Sequence, residues 1–166
     1  IPLTPAISWQ DSRATVILDR FKRHEGKVWE ITGAPLSAHF GGPKFYHMVQ
    51  NNKNLKKKAK NGEVYFGPLS AFIVHAITGK AAIDESIAGR TLMYDLHSGG
   101  WSKFTLDLFD VPIDCLPPIK PVKYEYGNFL TSEIPLLAVI GDQQSALIGQ
   151  SGLKKYTIGA NFGTSA

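Results

Sequence analysis

The chain has 166 residues, 43% hydrophobic and 19% charged, with a formal charge of +4 and one cysteine. That balance describes a folded globular polypeptide and excludes disorder, collagen-like repeats and coiled coil as overall descriptions. No apolar run approaches the ~18 residues that span a bilayer, so no membrane partner is expected. Cys115 alone makes neither an internal disulfide nor a cysteine-built zinc site, which points to a reducing, cytoplasmic setting. Lys53, Lys56, Lys57, Lys58 and Lys60 account for more than the whole excess of positive charge. The basicity is therefore one local run, read as a solvated helix face, and no nucleic-acid partner is expected. The chain opens at Ile1 and stops inside a glycine-rich stretch, so both ends read as cuts through a longer protein.

In chain order, residues 5–9 read as the end of a strand running into a polar cluster. Val16, Ile17, Leu18 and Phe21 then form a helical stripe, with Arg20, Lys22, Arg23 and His24 near its C-terminal turn, where cations are favoured. Residues 32–42 hold three glycines and one proline and read as a loop that places side chains, after which Pro43 opens a helix. Leu69, Phe72, Ile73, Ala76 and Ile77 fall at helical spacing and end at Gly79, the pattern of a helix with a buried face. Residues 81–84 and 91–95 read as short strands around Gly89 and Arg90, and residues 101–109 as an amphipathic helix. Prolines at 112, 117, 118 and 121 mark an irregular connector. Residues 136–140 form a continuous apolar run, the signature of a strand buried on both faces of an α/β sheet, and a helix over 143–150 follows Gly141 and Asp142.

Ligands of α/β sheets bind beyond the carboxyl ends of the strands, and Asp142 stands at such a point, beside a glycine that permits close approach. A carboxylate there can take the proton of an attacking alcohol, with Gln143 and Gln144 able to hydrogen-bond hydroxyls. The competing assignment is structural: aspartate is a favoured N-cap, and Asp142 would then only satisfy backbone N–H groups.

Trp9-Gln10-Asp11-Ser12-Arg13, Thr32-Gly33 with Phe40 and Lys44, Asp84 with Gly89-Arg90-Thr91-Leu92-Met93, Leu116-Pro117, and residues 141–150 beginning Gly-Asp-Gln-Gln occur in one order along the chain. In that order and spacing they resemble the FGGY carbohydrate kinases, most of all the glycerol kinase branch at the Trp-Gln-Asp and Gly-Asp-Gln-Gln segments. The resemblance implies an α/β fold of the ribonuclease H-like, actin-like ATPase type, here partial, with a mixed sheet and flanking helices. It implies that residues 1–150 belong to the sugar-binding N-terminal domain and 151–166 to the start of the ATP-binding domain.

The implied activity is transfer of the γ-phosphoryl group of ATP, with Mg2+, to a sugar or polyol. By similarity Asp142 is the general base, Gln143 bonds a neighbouring hydroxyl, and Trp9 lies against the carbon skeleton of the substrate. His39 occupies the place of a substrate-contacting tyrosine, and Gly163 and Thr164 match a turn that approaches the ATP phosphates. The family's Asp-x-Gly-Thr loop would precede Ile1 and its adenine-binding part would follow Ala166, so this stretch by itself is expected to be inactive. The full-length protein is expected to be a homo-oligomer. Two features depart from the family's pattern: His39 itself, and Gly41-Gly42-Pro43 where small polar residues are usual. They leave open an alternative, a non-catalytic actin-like binding or regulatory module. A nucleic-acid-binding ribonuclease H-like domain using the lysine run is a weaker alternative, because the sequence shows no cluster of metal-binding carboxylates.

Overall fold

The computed structural model describes residues 1–153, 155, 156 and 158–160. Residues 5–8 pair with no strand and Trp9 lies in a turn, contrary to the expected strand end. The carbonyls that would enter a ladder are already taken: Ser8 O accepts from Asp11 N–H at 3.1 Å, and both Ser8 O and Trp9 O accept from the Lys44 ammonium.

The first helical segment, Arg13–Arg20, winds as a 3-10 helix rather than an α-helix. The inward face falls on Ala14, Ile17 and the cap residue Phe21, while Val16 of the expected stripe points to water at 80% exposure. A short turn, Lys22–His24, leads into α1 (Glu25–Thr32), closed by Gly33 in the left-handed region. Helix α2 (Gly41–Gln50) begins two residues before Pro43. Helix α3 (Lys53–Lys60) carries the lysine run: its Asn52 cap accepts from Leu55 N–H, Leu55 and Ala59 are buried, and the lysines surround that apolar seam. Lys56 pairs with Asp110 and Lys58 with Glu63 on the surface.

Helix α4 (Leu69–Thr78) ends at Gly79 as the sequence indicates, but its buried residues are Ala71 and Val74. Leu69, Phe72 and Ile73 of the apolar stripe are exposed, because the segments packed on α4, residues 83–84 and 123–128, meet the face that carries Ala71 and Val74. The strands form three pairs: β1 (Ile83–Asp84) runs parallel to β4 (Ile119–Lys120), β2 (Tyr94–Asp95) antiparallel to β3 (Gly100–Trp101), and β5 (Lys123–Asn128) antiparallel to β6 (Pro135–Ala138). Parallel and antiparallel pairing therefore coexist, with helices packed around them. Trp101, expected at the start of a helix, is in β3 and donates its indole N–H to the Pro117 carbonyl; the helix itself is α6 (Lys103–Leu108).

Strand β6 corrects the expectation of a strand covered on both faces. Leu136 and Val139 reach a small cluster of Val74, Ala82 and Tyr126, whereas Leu137 is 54% exposed. Among the described residues its only strand partner is β5, and no residue of β6 is buried: Leu136 is half-buried, and Pro135, Leu137 and Ala138 are exposed.

The main core gathers Phe21, Val28, Phe45, Val49, Leu92, Met93, Leu106 and Phe109 from the helical half, with Phe21 set edge-on to Phe109 at 5.3 Å. Cys115 belongs to it, its thiol donating to the Ala59 carbonyl and pushed up in pKa by burial. Helix α5 (Glu85–Ala88) and the 3-10 turn Gly89–Thr91 pass from β1 toward the start of α2. Helix α7 (Asp142–Ser151) follows β6. No described helix is long and apolar enough to cross a membrane.

Candidate functional site

The residues singled out from the sequence fall into two groups joined by residues 84–91. The first group is built on the segment before the 3-10 helix and on α2. The turn at residues 8–11 is tied within itself: Ser8 Oγ accepts from Gln10 N–H at 3.2 Å, and Asp11 takes Arg13 in a two-pronged pair at 2.9 Å while also accepting the Arg13 backbone N–H. Arg13 holds the Asp11 carboxyl below the usual carboxylate range. This turn presents the Trp9 ring to solvent, 61% exposed, instead of burying it as an ordinary core aromatic.

What holds the turn in place is Lys44. Its side chain is 7% exposed, and its ammonium donates to Ser8 O and, at 3.1 Å, to Trp9 O. Desolvation lowers the Lys44 pKa below that of a free lysine. His39 Nδ1 sits 3.1 Å from the same Trp9 carbonyl. A carbonyl only accepts, so the Nδ1 carries the proton in this contact, and Nε2 of an uncharged ring is then an acceptor. Sequence reasoning had Lys44 only as part of a motif. A signal was there: a cation in the first turn of a helix opposes the helix dipole, so it needs another reason to be present.

Gly41 and Gly42, which depart from the family's pattern, are where the start of α2 meets its neighbours. A Cβ on Gly42 would lie 2.5 Å from the Phe109 ring, and one on Gly41 would lie 3.2 Å from the Thr91 backbone. Beside them the Arg90 guanidinium stacks over the Phe40 ring at 4.6 Å. Thus α2, which anchors Trp9 and His39, rests on the 3-10 turn at Gly89–Thr91.

That turn continues back into α5, which meets the second group. Helix α7 begins on Asp142 with Gly141 as its N-cap, and among the described residues the Asp142 side chain accepts from no backbone N–H. Its carboxylate is exposed, with Gln143 Nε2 donating to Oδ2 at 3.4 Å. Gln143 and Gln144 border an open depression along α7 together with Ala146, Leu147 and Gln150. Gly141 is closely surrounded: a Cβ there would meet Gln144 Oε1 at 2.5 Å and the Ile87 side chain at 2.9 Å, and both side-chain ends would have to move aside. The structure therefore brings Trp9, His39 and Lys44 together and places Asp142 beside Gln143, with α5 and the following turn between the groups. Gly163 and Thr164 lie outside the described residues. Among the described residues no group of three or more His, Cys, Asp or Glu side chains could hold a metal ion.

Residues 1–149 match the N-terminal domain of the FGGY family of carbohydrate kinases. Similar proteins include the glycerol kinase of Thermococcus kodakarensis, 34% identical over 98% of this chain and 34% of its own length. Another is that of Enterococcus casseliflavus, 34% identical over 99% of this chain and 34% of its own length. The chain thus spans about a third of the length of the curated relatives it matches. Among solved structures, Plasmodium falciparum glycerol kinase with ADP superposes with a TM-score of 0.85 at 29% identity, over 90% of this chain and 32% of that one. A xylulose kinase from Lactobacillus acidophilus shares the fold with a TM-score of 0.74 at 21% identity, over 89% of this chain and 31% of that one.

Proposed function

Because the chain belongs to the FGGY family of carbohydrate kinases, we propose that it supplies the acceptor side of an enzyme that phosphorylates a sugar or polyol hydroxyl at the expense of ATP. The division follows: residues 1–150 in the sugar-side domain and 151–166 at the start of the ATP-side domain, a split supported by the family match ending at residue 149. Asp142 is the general base. The acceptor oxygen attacks the γ-phosphorus, the new O–P bond forms as the bond to the bridging oxygen of ADP breaks, and the hydroxyl proton passes to the Asp142 carboxylate.

The observation that carries this reading is the position of Asp142 at the first residue of α7, with Gly141 as the cap. Among the described residues its carboxylate makes no backbone hydrogen bond, and the residue is exposed, so the capping role is not occupying it. Gln143 orients a neighbouring hydroxyl, the exposed Trp9 ring packs on the carbon skeleton, and His39 Nε2 accepts from a further hydroxyl. Mg2+ would supply charge neutralisation on the ATP phosphates; no described residue is assigned to it. The family's Gly-Thr turn, Gly163 and Thr164, is the part of this chain assigned to the ATP side.

The test is the intact protein with ATP and a panel of polyols and sugars, glycerol first because proteins 34% identical bear the name glycerol kinase. ADP release dependent on one acceptor is expected, and Asp142→Asn should lower it by roughly 10²–10⁴-fold with the fold intact. Full activity in Asp142→Asn would refute the proposed base. Absence of ADP release with every acceptor in the panel would favour the non-catalytic module.

A further inference from the structure

A hydrogen-bonded chain ties the N-terminus of α7 to the end of β1. Asp84, fully buried, caps α5: its Oδ2 accepts from the Ser86 and Ile87 N–H groups at 3.0 and 3.2 Å and from the Ser86 hydroxyl. Ser86 has a single hydroxyl proton, and the carboxylate takes it. The Ser86 oxygen is thereby committed as an acceptor, and it receives the Gly141 N–H at 2.8 Å. Gly141 is the cap of α7 and the residue before Asp142; its own carbonyl accepts from Ser145 N–H at 2.9 Å, inside the first turn. Gly141 is also pressed against Ile87, as the 2.9 Å approach of a hypothetical Cβ shows.

We propose that Ser86, oriented by Asp84, is a positioning residue that sets the backbone of Gly141 and so aims the Asp142 carboxylate. This rests on the reading of Asp142 as the base. The serine touches neither acceptor nor ATP; it acts through one N–H, one residue from the carboxylate. The carboxylate of Asp84 matters because it removes the alternative in which the serine hydroxyl points its proton at Gly141 and repels that N–H. Asp84 has a second, buried oxygen, Oδ1, without a hydrogen-bond partner among the described residues, so the hydrogen bonds of its side chain all fall on Oδ2. Alignment is where phosphoryl transfer is most sensitive, since there is little covalent chemistry for the protein to perform.

The test uses the intact enzyme and its best acceptor. Ser86→Ala is expected to lower kcat about tenfold while KM for ATP stays within twofold, because only the base side is misaligned. Ser86→Thr keeps the acceptor oxygen and is expected to retain kcat within twofold. In an Asp142→Asn background Ser86→Ala should add no further loss, as two steps of one pathway do not multiply. Equal loss of kcat in the Thr and Ala variants, an undiminished tenfold loss in the Asp142→Asn background, or full kcat in Ser86→Ala would each overturn the proposal. Should the alanine variant fail to fold, the threonine variant decides alone: retained kcat supports the clamp, and lost kcat in a folded Thr variant sinks it. Full activity of Asp142→Asn is a separate result, which removes the base reading itself.

Discussion

Lys44→Met separates the anchoring of Trp9 from the stability of the core. Methionine keeps the apolar stem that packs at the start of α2 and removes the ammonium that donates to the Ser8 and Trp9 carbonyls. Hydrogen bonds to a charged group contribute about 1.5–3 kcal/mol each. Against them stands the cost of burying the charge, visible as the lowered Lys44 pKa, and that cost disappears in the variant. The second offsets part of the first for global unfolding, so the midpoint should fall by less than the loss of two such hydrogen bonds alone implies. No such offset applies to the turn at residues 8–11, which loses its tether without gaining anything. About 2–3 kcal/mol of local ordering is lost, or roughly 30- to 150-fold in how often Trp9 is presented correctly. KM for the acceptor should rise by a substantial part of that factor with kcat much less affected, and the amides of residues 9–13 should exchange faster with deuterium. A large fall in melting temperature with unchanged exchange and unchanged acceptor KM would refute the reasoning and make Lys44 a core residue.

Two other measurements test the packing around the site. Gly42→Ala places a methyl group 2.5 Å from the fully buried Phe109 ring and is expected to destabilise the fold by about 1–3 kcal/mol in denaturant titration; an unchanged midpoint would show that the ring yields freely. Tyr126, buried with its hydroxyl donating to the Pro121 carbonyl, has its pKa pushed up from 10.0 to about 12, mainly by burial and then by Asp84 and Glu85. The folded state holds a proton that the unfolded chain releases earlier, so this contribution is complete below pH 10. It is lost as pH rises through about 12, by up to ~3 kcal/mol. Tyr126→Phe gives up about 1 kcal/mol at neutral pH for the missing hydrogen bond and should flatten that alkaline slope; identical slopes in both proteins would contradict the assignment.

Local chemistry was readable from the sequence, and what depends on neighbours was not. Gly79 closes α4 where the helical pattern ends, and the lysine run forms a helix around Leu55 and Ala59. Yet the stripe of Leu69, Phe72 and Ile73 stays outside, and Leu137 is exposed in β6, because periodicity marks a face without saying what packs on it. At Asp142 the open question was a matter of one position: as cap the carboxylate would be consumed, as first helical residue it is free, and only the backbone decides. The contacts that organise the site span 35 residues between Lys44 and Trp9 and 55 between Gly141 and Ser86, beyond any local pattern. The same distance argument bears on the two departures from the family's pattern. Gly41 and Gly42 are the residues that admit the Thr91 backbone and the Phe109 ring, so that loop is shaped by packing and carries no mark of a decayed pocket. His39 spends one nitrogen holding the Trp9 carbonyl, and among the described residues its other nitrogen makes no hydrogen bond. A histidine there preserves a hydrogen-bonding wall beside the tryptophan, which favours an altered acceptor over a lost one.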